Sequence, residues 1–167
     1  PFTLADNFGG GDKQTTAVDH LICHFEDLFE AHRLDYWKII GEKIICAAGM
    51  QDNSNHPVDA IADLALSFQD KCSHLFADLD KPMEFKIGID TGGVMGSPVG
   101  RRQKSYNIWG EAVSTASMMS ENCVTGGIHV SETAYQGLRE SYLFKVRGRF
   151  FVPNIGEIAT YLLTGRI

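Results

Sequence analysis

The 167-residue chain lacks any apolar run of about 18 residues and any signal-peptide pattern, so nothing in it predicts a segment that spans or crosses a membrane. A membrane anchor elsewhere in a longer parent stays open, since Pro1 is not an initiator methionine and the chain begins abruptly, as an excised piece would. A concentrated basic face is also lacking. With a formal net charge of -6, the chain is a poor match for phosphate-backbone binding, and no nucleic-acid partner is expected. Cysteine is scarce: Cys23, Cys46, Cys72 and Cys123 are widely spaced, with no CxxC pair. That excludes a disulfide-dense scaffold and predicts small buried thiols in a reducing, cytoplasmic setting. The six histidines form no HExxH motif, and there is no internal repeat or low-complexity tract.

What is present is enough apolar material, 44% of residues, for one well-filled core, so residues 1–167 are expected to form a single domain. Residues 4–14 are polar and glycine-rich and read as a mobile loop. From Thr16, an expected N-cap, Val18, Leu21, Ile22, Phe25, Leu28 and Phe29 recur at the spacing of a buried helix face. Tyr36 to Ile40 and Lys43 to Ala48 are β-prone runs around Gly41-Glu42, the pattern of a hairpin. After a polar loop at 51–56, Val58, Ile61, Ala65, Phe68, Cys72, Leu75 and Leu79 predict a second long helix that ends before Pro82.

Phe85, Ile87 and Ile89 alternate with Lys86, Gly88 and Asp90, which predicts a strand with one buried face. Thr91-Gly92-Gly93 turns into a second strand, Val94 to Val99. The basic loop Arg101-Arg102-Gln103-Lys104 follows, then Tyr106 to Gly110 and a helix from about Glu111 to Glu121. A short strand at Ile128 and Val130, a brief helix from Ser131-Glu132 to about Arg139, and strands over 143–151 and 157–163 complete the chain. Helices alternating with hairpin-linked strands predict an α+β fold, helices packed on a mainly antiparallel sheet.

Lys38-Ile39-Ile40-Gly41-Glu42-Lys43 to Gly49 resembles the K-x-x-G-D-x-x-x-x-x-x-G hairpin of class III nucleotidyl cyclases. Phe85 to Gly100 resembles that family's strand-glycine-strand segment, and Tyr106-Asn107-Ile108-Trp109-Gly110-Glu111-Ala112-Val113 its Y-D-x-W-G-x-x-V run. Gly127 to Ser131 and Ile158 to Leu162 fit the closing pattern, and the resemblance extends over about residues 15–165. It implies a ferredoxin-like core, head-to-tail pairing of two domains with nucleotide sites between them, and conversion of ATP or GTP to the 3',5'-cyclic monophosphate and pyrophosphate. Catalysis there is positioning and charge management around the substrate's own 3'-hydroxyl. Mg²⁺ or Mn²⁺ is the implied cofactor.

Carried over one position at a time, the resemblance places Lys38 and Asn107 at the base-reading positions. A lysine can donate to adenine N1 but offers guanine no acceptor, so ATP is the expected nucleotide; asparagine can both accept and donate and discriminates poorly. The competing readings are an exposed strand lysine and a turn asparagine. Glu42 takes the place of a metal-binding aspartate, and its extra methylene moves the carboxylate by about 1.5 Å, a carbon-carbon bond length. Since Mg²⁺ demands near-ideal octahedral geometry, weak metal binding is expected, and an ordinary turn carboxylate is the alternative. Pro1-Phe2-Thr3 matches the end of a Gly-Phe-Thr triplet that follows the family's first metal aspartate, which places that aspartate and the first strand before residue 1.

Further on, Val113-Ser114-Thr115-Ala116-Ser117-Met118 stands where the family reads V-N-x-A-S-R. Ser114 thus replaces the ribose-orienting asparagine and Met118 the arginine that meets transition-state charge. Val152-Pro153-Asn154-Ile155-Gly156 replaces V-K-G-K-G and loses the phosphate lysine. Two functions follow from the resemblance. One is a weak or inactive adenylate cyclase subunit, a homodimer or a heterodimer with another cyclase domain that supplies the missing groups. The other is a non-catalytic dimerisation or nucleotide-sensing module. Gly10-Gly11-Asp12-Lys13 shares letters with the GGDEF signature of diguanylate cyclases but precedes a helix, and reads as loop; Arg101, Arg102 and Lys104 read as a solvated loop, and Met118-Met119 as helix packing.

Overall fold

The structure is a computed structural model describing residues 2–5, 12–51, 56–77 and 84–167, with side chains described from Thr16 onward. Nine strands and four helices are found among these residues. In chain order they are β1 (Phe2–Ala5), α1 (Asp12–Ala31), β2 (Tyr36–Ile40), β3 (Lys43–Ala47), α2 (Pro57–Ala77), β4 (Glu84–Ile89), β5 (Met95–Val99), β6 (Ser105–Trp109), α3 (Glu111–Glu121), β7 (Ile128–Ser131), α4 (Glu132–Leu138), β8 (Tyr142–Val152) and β9 (Gly156–Arg166). Seven strands form one sheet in the order β2-β3-β1-β4-β7-β9-β8, and β5 and β6 form a separate two-stranded ribbon. Only β4 and β7 run parallel; every other pairing is antiparallel.

The period of two divides the sheet's faces. Ile87, Ile89, Ile128 and Val130 point into the main core with Leu21 and Phe25 of α1, Leu64, Phe68 and Phe76 of α2, and Ala134 and Leu138 of α4. The residues between them, Gly88 and His129, face α3. Gly88 is there because α3 lies directly on β4: a Cβ at this position would collide with the Ala116 carbonyl and the Ser120 amide. The β2–β3 hairpin closes through Gly41-Glu42, with Ile40 paired to Lys43, and Gly41 takes the left-handed conformation (φ 61°) that a two-residue turn requires. Ser131 caps α4, accepting from the Ala134 amide at 3.3 Å and donating its hydroxyl to Asp90.

Four expectations need correction. First, Phe2–Ala5 forms a strand inside the sheet, Phe2 pairing with both Ile44 and Ile87, so no open slot separates β3 from β4 at that level. Second, α1 starts at Asp12, so Thr16 lies inside the helix and is not its cap, and Asp12-Lys13 is helical instead of loop. Third, the chain from Ser105 to Trp109, given no strand in the sequence reading, is one, and β5 pairs with it. Fourth, the closing strands are longer than expected, at Tyr142–Val152 and Gly156–Arg166. The glycine-rich stretch at 6–11, the polar loop at 52–55 and the end of the second helix at 78–83, with Leu79 and Pro82, lie outside the described residues.

Candidate active site at the edge of the hairpin

The β2–β3 hairpin forms one end of the sheet, and the β5–β6 ribbon lies against β2 without joining its ladder. Side chains make the connection. The Lys38 ammonium donates to Asn107 Oδ1 at 2.6 Å and to Ser105 Oγ at 2.5 Å. One turn of the pleat away, Tyr36 donates its hydroxyl to the Tyr106 carbonyl at 3.3 Å, and the two rings sit 5.9 Å apart. Partial burial, and then the neighbouring Tyr106 phenol, push the Tyr36 phenol up from its ordinary value. Lys38 and Asn107, nominated from opposite halves of the sequence, are therefore in contact.

Ser105 was not among the nominated residues. A signal existed: in a strand, residues two apart share a face, so any strand through Asn107 brings Ser105 to the same side. The cluster has directed capacity left. Lys38 keeps one N–H after its two bonds, Asn107 Oδ1 keeps a lone pair, and the Ser105 hydroxyl still has its hydrogen to give. Asn107 Nδ2 makes only a long 3.4 Å contact with the Ser105 carbonyl. A donor beside an acceptor is the complement of the adenine Watson–Crick edge.

Glu42 is exposed in the hairpin turn. Among the described residues no group of three or more His, Cys, Asp or Glu side chains gathers to hold a metal ion. Glu42 would hold a divalent ion through its one carboxylate, and Mg²⁺ or Mn²⁺ needs further oxygen donors beside it.

Ser114 and Met118 lie on α3, directly after Gly110. Ser114 is exposed and donates back to the Gly110 carbonyl at 3.3 Å. Met118 is half-buried, and its carbonyl accepts from the Asn122 side chain at 2.9 Å, which closes the helix end. Neither hydrogen-bonds to the Lys38 cluster among the described residues. Arg101, Arg102 and Lys104 are exposed at the tip of the ribbon, and Met119 is fully buried. Four of the ribbon's apolar side chains face solvent: Met95, Val99, Tyr106 and Trp109.

A separate cavity of about 100 Å³ opens between β3, α2, β4 and α3, lined by Ile45, Ala48, Val58, Ile89, Asp90 and Ala116 among others. It is largely apolar and does not include Lys38 or Asn107. Asp90 on its wall is pushed above the ordinary aspartate range, by burial first; the Ser131 hydroxyl and the Thr91 amide oppose that, and Glu111 adds to it. All four cysteines are free, and burial raises the Cys46 thiol, beside the same cavity, to about 11.

The chain belongs to the adenylate and guanylate cyclase catalytic-domain family, whose model matches residues 5–165. An adenylate cyclase of Mycobacterium tuberculosis is 30% identical over 149 residues, covering 89% of this chain and 34% of the relative. The human guanylate cyclase soluble subunit beta-2 is 28% identical over 149 residues, covering 87% of this chain and 24% of that protein. The chain therefore spans about a third or less of the length of these relatives. Among solved structures, the guanylate cyclase domain of RhGC from Catenaria anguillulae in complex with GTP superposes with a TM-score of 0.84 at 18% identity, covering 99% of this chain and 94% of that one. It shares the α+β nucleotidyl cyclase fold. No helix among the described residues is long and apolar enough to cross a membrane.

Proposed function

We propose that this cyclase domain binds ATP in preference to GTP, with Lys38 donating to adenine N1 and the Asn107 oxygen accepting from the exocyclic amine. The observation that carries the reading is the Lys38–Asn107–Ser105 cluster, which holds both groups at one edge of the hairpin. The reaction is conversion of ATP to 3',5'-cyclic AMP and pyrophosphate, in the cytosol, at a low rate by this chain alone. Ser114 has no amide with which to orient a ribose, and Met118 has no charge to set against an anionic transition state. A second cyclase domain, from another copy or another chain, supplies those groups, docking on the apolar side chains that the ribbon exposes around Trp109. Calorimetry with ATP and with GTP in the presence of Mn²⁺ tests the binding. Heat with ATP and none or less with GTP supports it, and equal affinities would sink the adenine assignment.

A second function is favoured by one observation, that α3 presents Ser114 and Met118 where the family has an asparagine and an arginine. On this reading the domain is a non-catalytic dimerisation or nucleotide-sensing module. Mixing it with an active cyclase domain separates the two: new cyclic AMP dependent on both chains indicates a catalytic subunit, and binding without added turnover indicates the module.

A further inference from the structure

His129 is fully buried on β7, between Gly88 of β4 and Leu162 of β9, on the face that α3 covers. Its Nδ1 lies 2.9 Å from the Met119 carbonyl of α3. A carbonyl only accepts, so Nδ1 carries the hydrogen, and Nε2 is left as a bare, buried acceptor with no partner among the described residues. Phe150 closes the site with its ring edge-on at 5.3 Å, and the Arg147 guanidinium lies over the Phe150 ring at 5.6 Å.

We propose that His129 is the positioning residue of α3: as a neutral Nδ1–H imidazole it fixes the helix that carries Ser114 and Met118, and it releases that helix when Nε2 takes a proton. The seat is specific because Gly88 lets α3 lie flat on β4, and the imidazole bond then fixes the rotation and register of the helix over β7. A proton on Nε2 would create a buried cation with a second donor and no acceptor. Among the described residues the charged neighbours offer Nε2 no partner. Lys145 on β8 is paired opposite Leu162, as His129 is, and Arg147 lies beyond Phe150. Lys86 and Asp90 flank Gly88 on its face of β4, the Asp90 carboxylate accepting from Ser131, while on α3 Glu121 is paired with Lys43 and Glu111 is exposed. Burial holds the imidazole below its ordinary value, the Met119 bond opposes that, and Arg147 adds to it. A histidine lowered in the folded state contributes stability that is full above its unfolded value near 6.5 and lost as pH falls below it.

The test needs neither nucleotide nor activity. Nitrogen NMR of the unaltered protein at pH 7 should show His129 as the Nδ1–H tautomer; the Nε2–H tautomer overturns the proposal. Hydrogen exchange then reads the helix. Protection of the amides of residues 111–121, relative to those of β7, should fall by about fivefold between pH 7 and pH 5, the equivalent of about 1 kcal/mol, the low end of the cost of burying one donor, the new Nε2–H, without an acceptor. His129→Asn keeps a donor near the Nδ1 position but does not titrate, so its helix protection should stay flat over that range. His129→Leu should be low throughout. A wild-type profile as flat as that of the asparagine variant overturns the proposal, and the wild-type arms decide it even if a variant fails to fold.

Discussion

Lys38 and Asn107, 69 residues apart in the chain, meet through a 2.6 Å hydrogen bond that ties the sheet's terminal hairpin to a ribbon outside that sheet. The bond is charge-assisted and orients the asparagine, turning its oxygen toward the ammonium and its NH₂ away. Base recognition by this pair is therefore a property of two elements in contact, and disturbing either residue should move the other.

Replacing Lys38 with glutamate should shift preference from ATP toward GTP. The lost donor to adenine N1 is a hydrogen bond to a charged group, worth about 1.5–3 kcal/mol, so the ATP/GTP affinity ratio should fall by roughly tenfold or more. Calorimetry on Lys38→Glu measures it. An unchanged ratio would mean that Lys38 does not face the base.

The chain alone should form little cyclic nucleotide from ATP or GTP with Mn²⁺. Turnover near the roughly 10 s⁻¹ typical of enzymes would contradict the roles given to Ser114 and Met118. Ser114→Asn, Met118→Arg and Glu42→Asp made together, with an active cyclase domain as partner, should raise the rate; one preorganised donor is typically worth about 10²-fold. Chromatographic assay of cyclic AMP against time reports both results.

Association should run through the ribbon. Trp109 is 41% exposed and paired across the ribbon with the exposed Met95, and an interface core formed there would bury it. Sedimentation over a concentration series should show self-association, or a complex with another cyclase domain, that Trp109→Ala weakens. A strict monomer at every concentration, with no complex formed, would remove the interface.

Substituting Gly88 by alanine should destabilise the fold by about 1–3 kcal/mol, the usual cost of overpacking a core, because the new methyl would meet backbone of α3 that cannot swing aside. Urea unfolding gives the number. A change within about 0.5 kcal/mol would show that α3 can lift from β4 without cost.

Asp90→Asn should stabilise the protein at neutral pH and have little effect near pH 3. The folded-state carboxyl titrates above its unfolded value, so the native protein holds its proton longer. Stability is then greatest below the unfolded value and declines as pH rises through the window up to the raised one. Asparagine has no charge to bury and can still accept from Ser131. Thermal unfolding of both proteins across pH 3–7 should show the curves diverging upward through that window.

The helices and the hairpin were legible because each carries its own periodicity. The face of Ala65, Phe68 and Cys72 on α2 and the Gly41-Glu42 turn need no distant partner to be recognised. β6 was not legible: its residues alternate in burial weakly and in no clean apolar pattern, and its partner is a ribbon strand with both faces part-exposed. Missing that strand hid Ser105, which stands beside Asn107 only when the chain between them is extended. β1 was hidden for another reason. Four residues give no periodicity, and Phe2–Ala5 is a strand only because β3 and β4 accept it from both sides.

The place of β1 also bears on the order in which the molecule is assembled. Its pairing with β4 joins Phe2 to Ile87 and Thr3 to Lys86, among the more distant contacts in the sheet, whereas β2–β3 and β8–β9 close within a few residues of their turns. Contacts that must gather a long loop form slowly, because the chain loses the entropy of closing that loop before the contact repays it. Within the main sheet, among the described residues, β1 is the only strand that hydrogen-bonds both to the β2–β3 hairpin and to the other four strands. The hairpin bearing Lys38 and Glu42 can form early by itself, yet it reaches its native orientation late, when the shortest route left to the rest of the sheet runs through Phe2–Ala5.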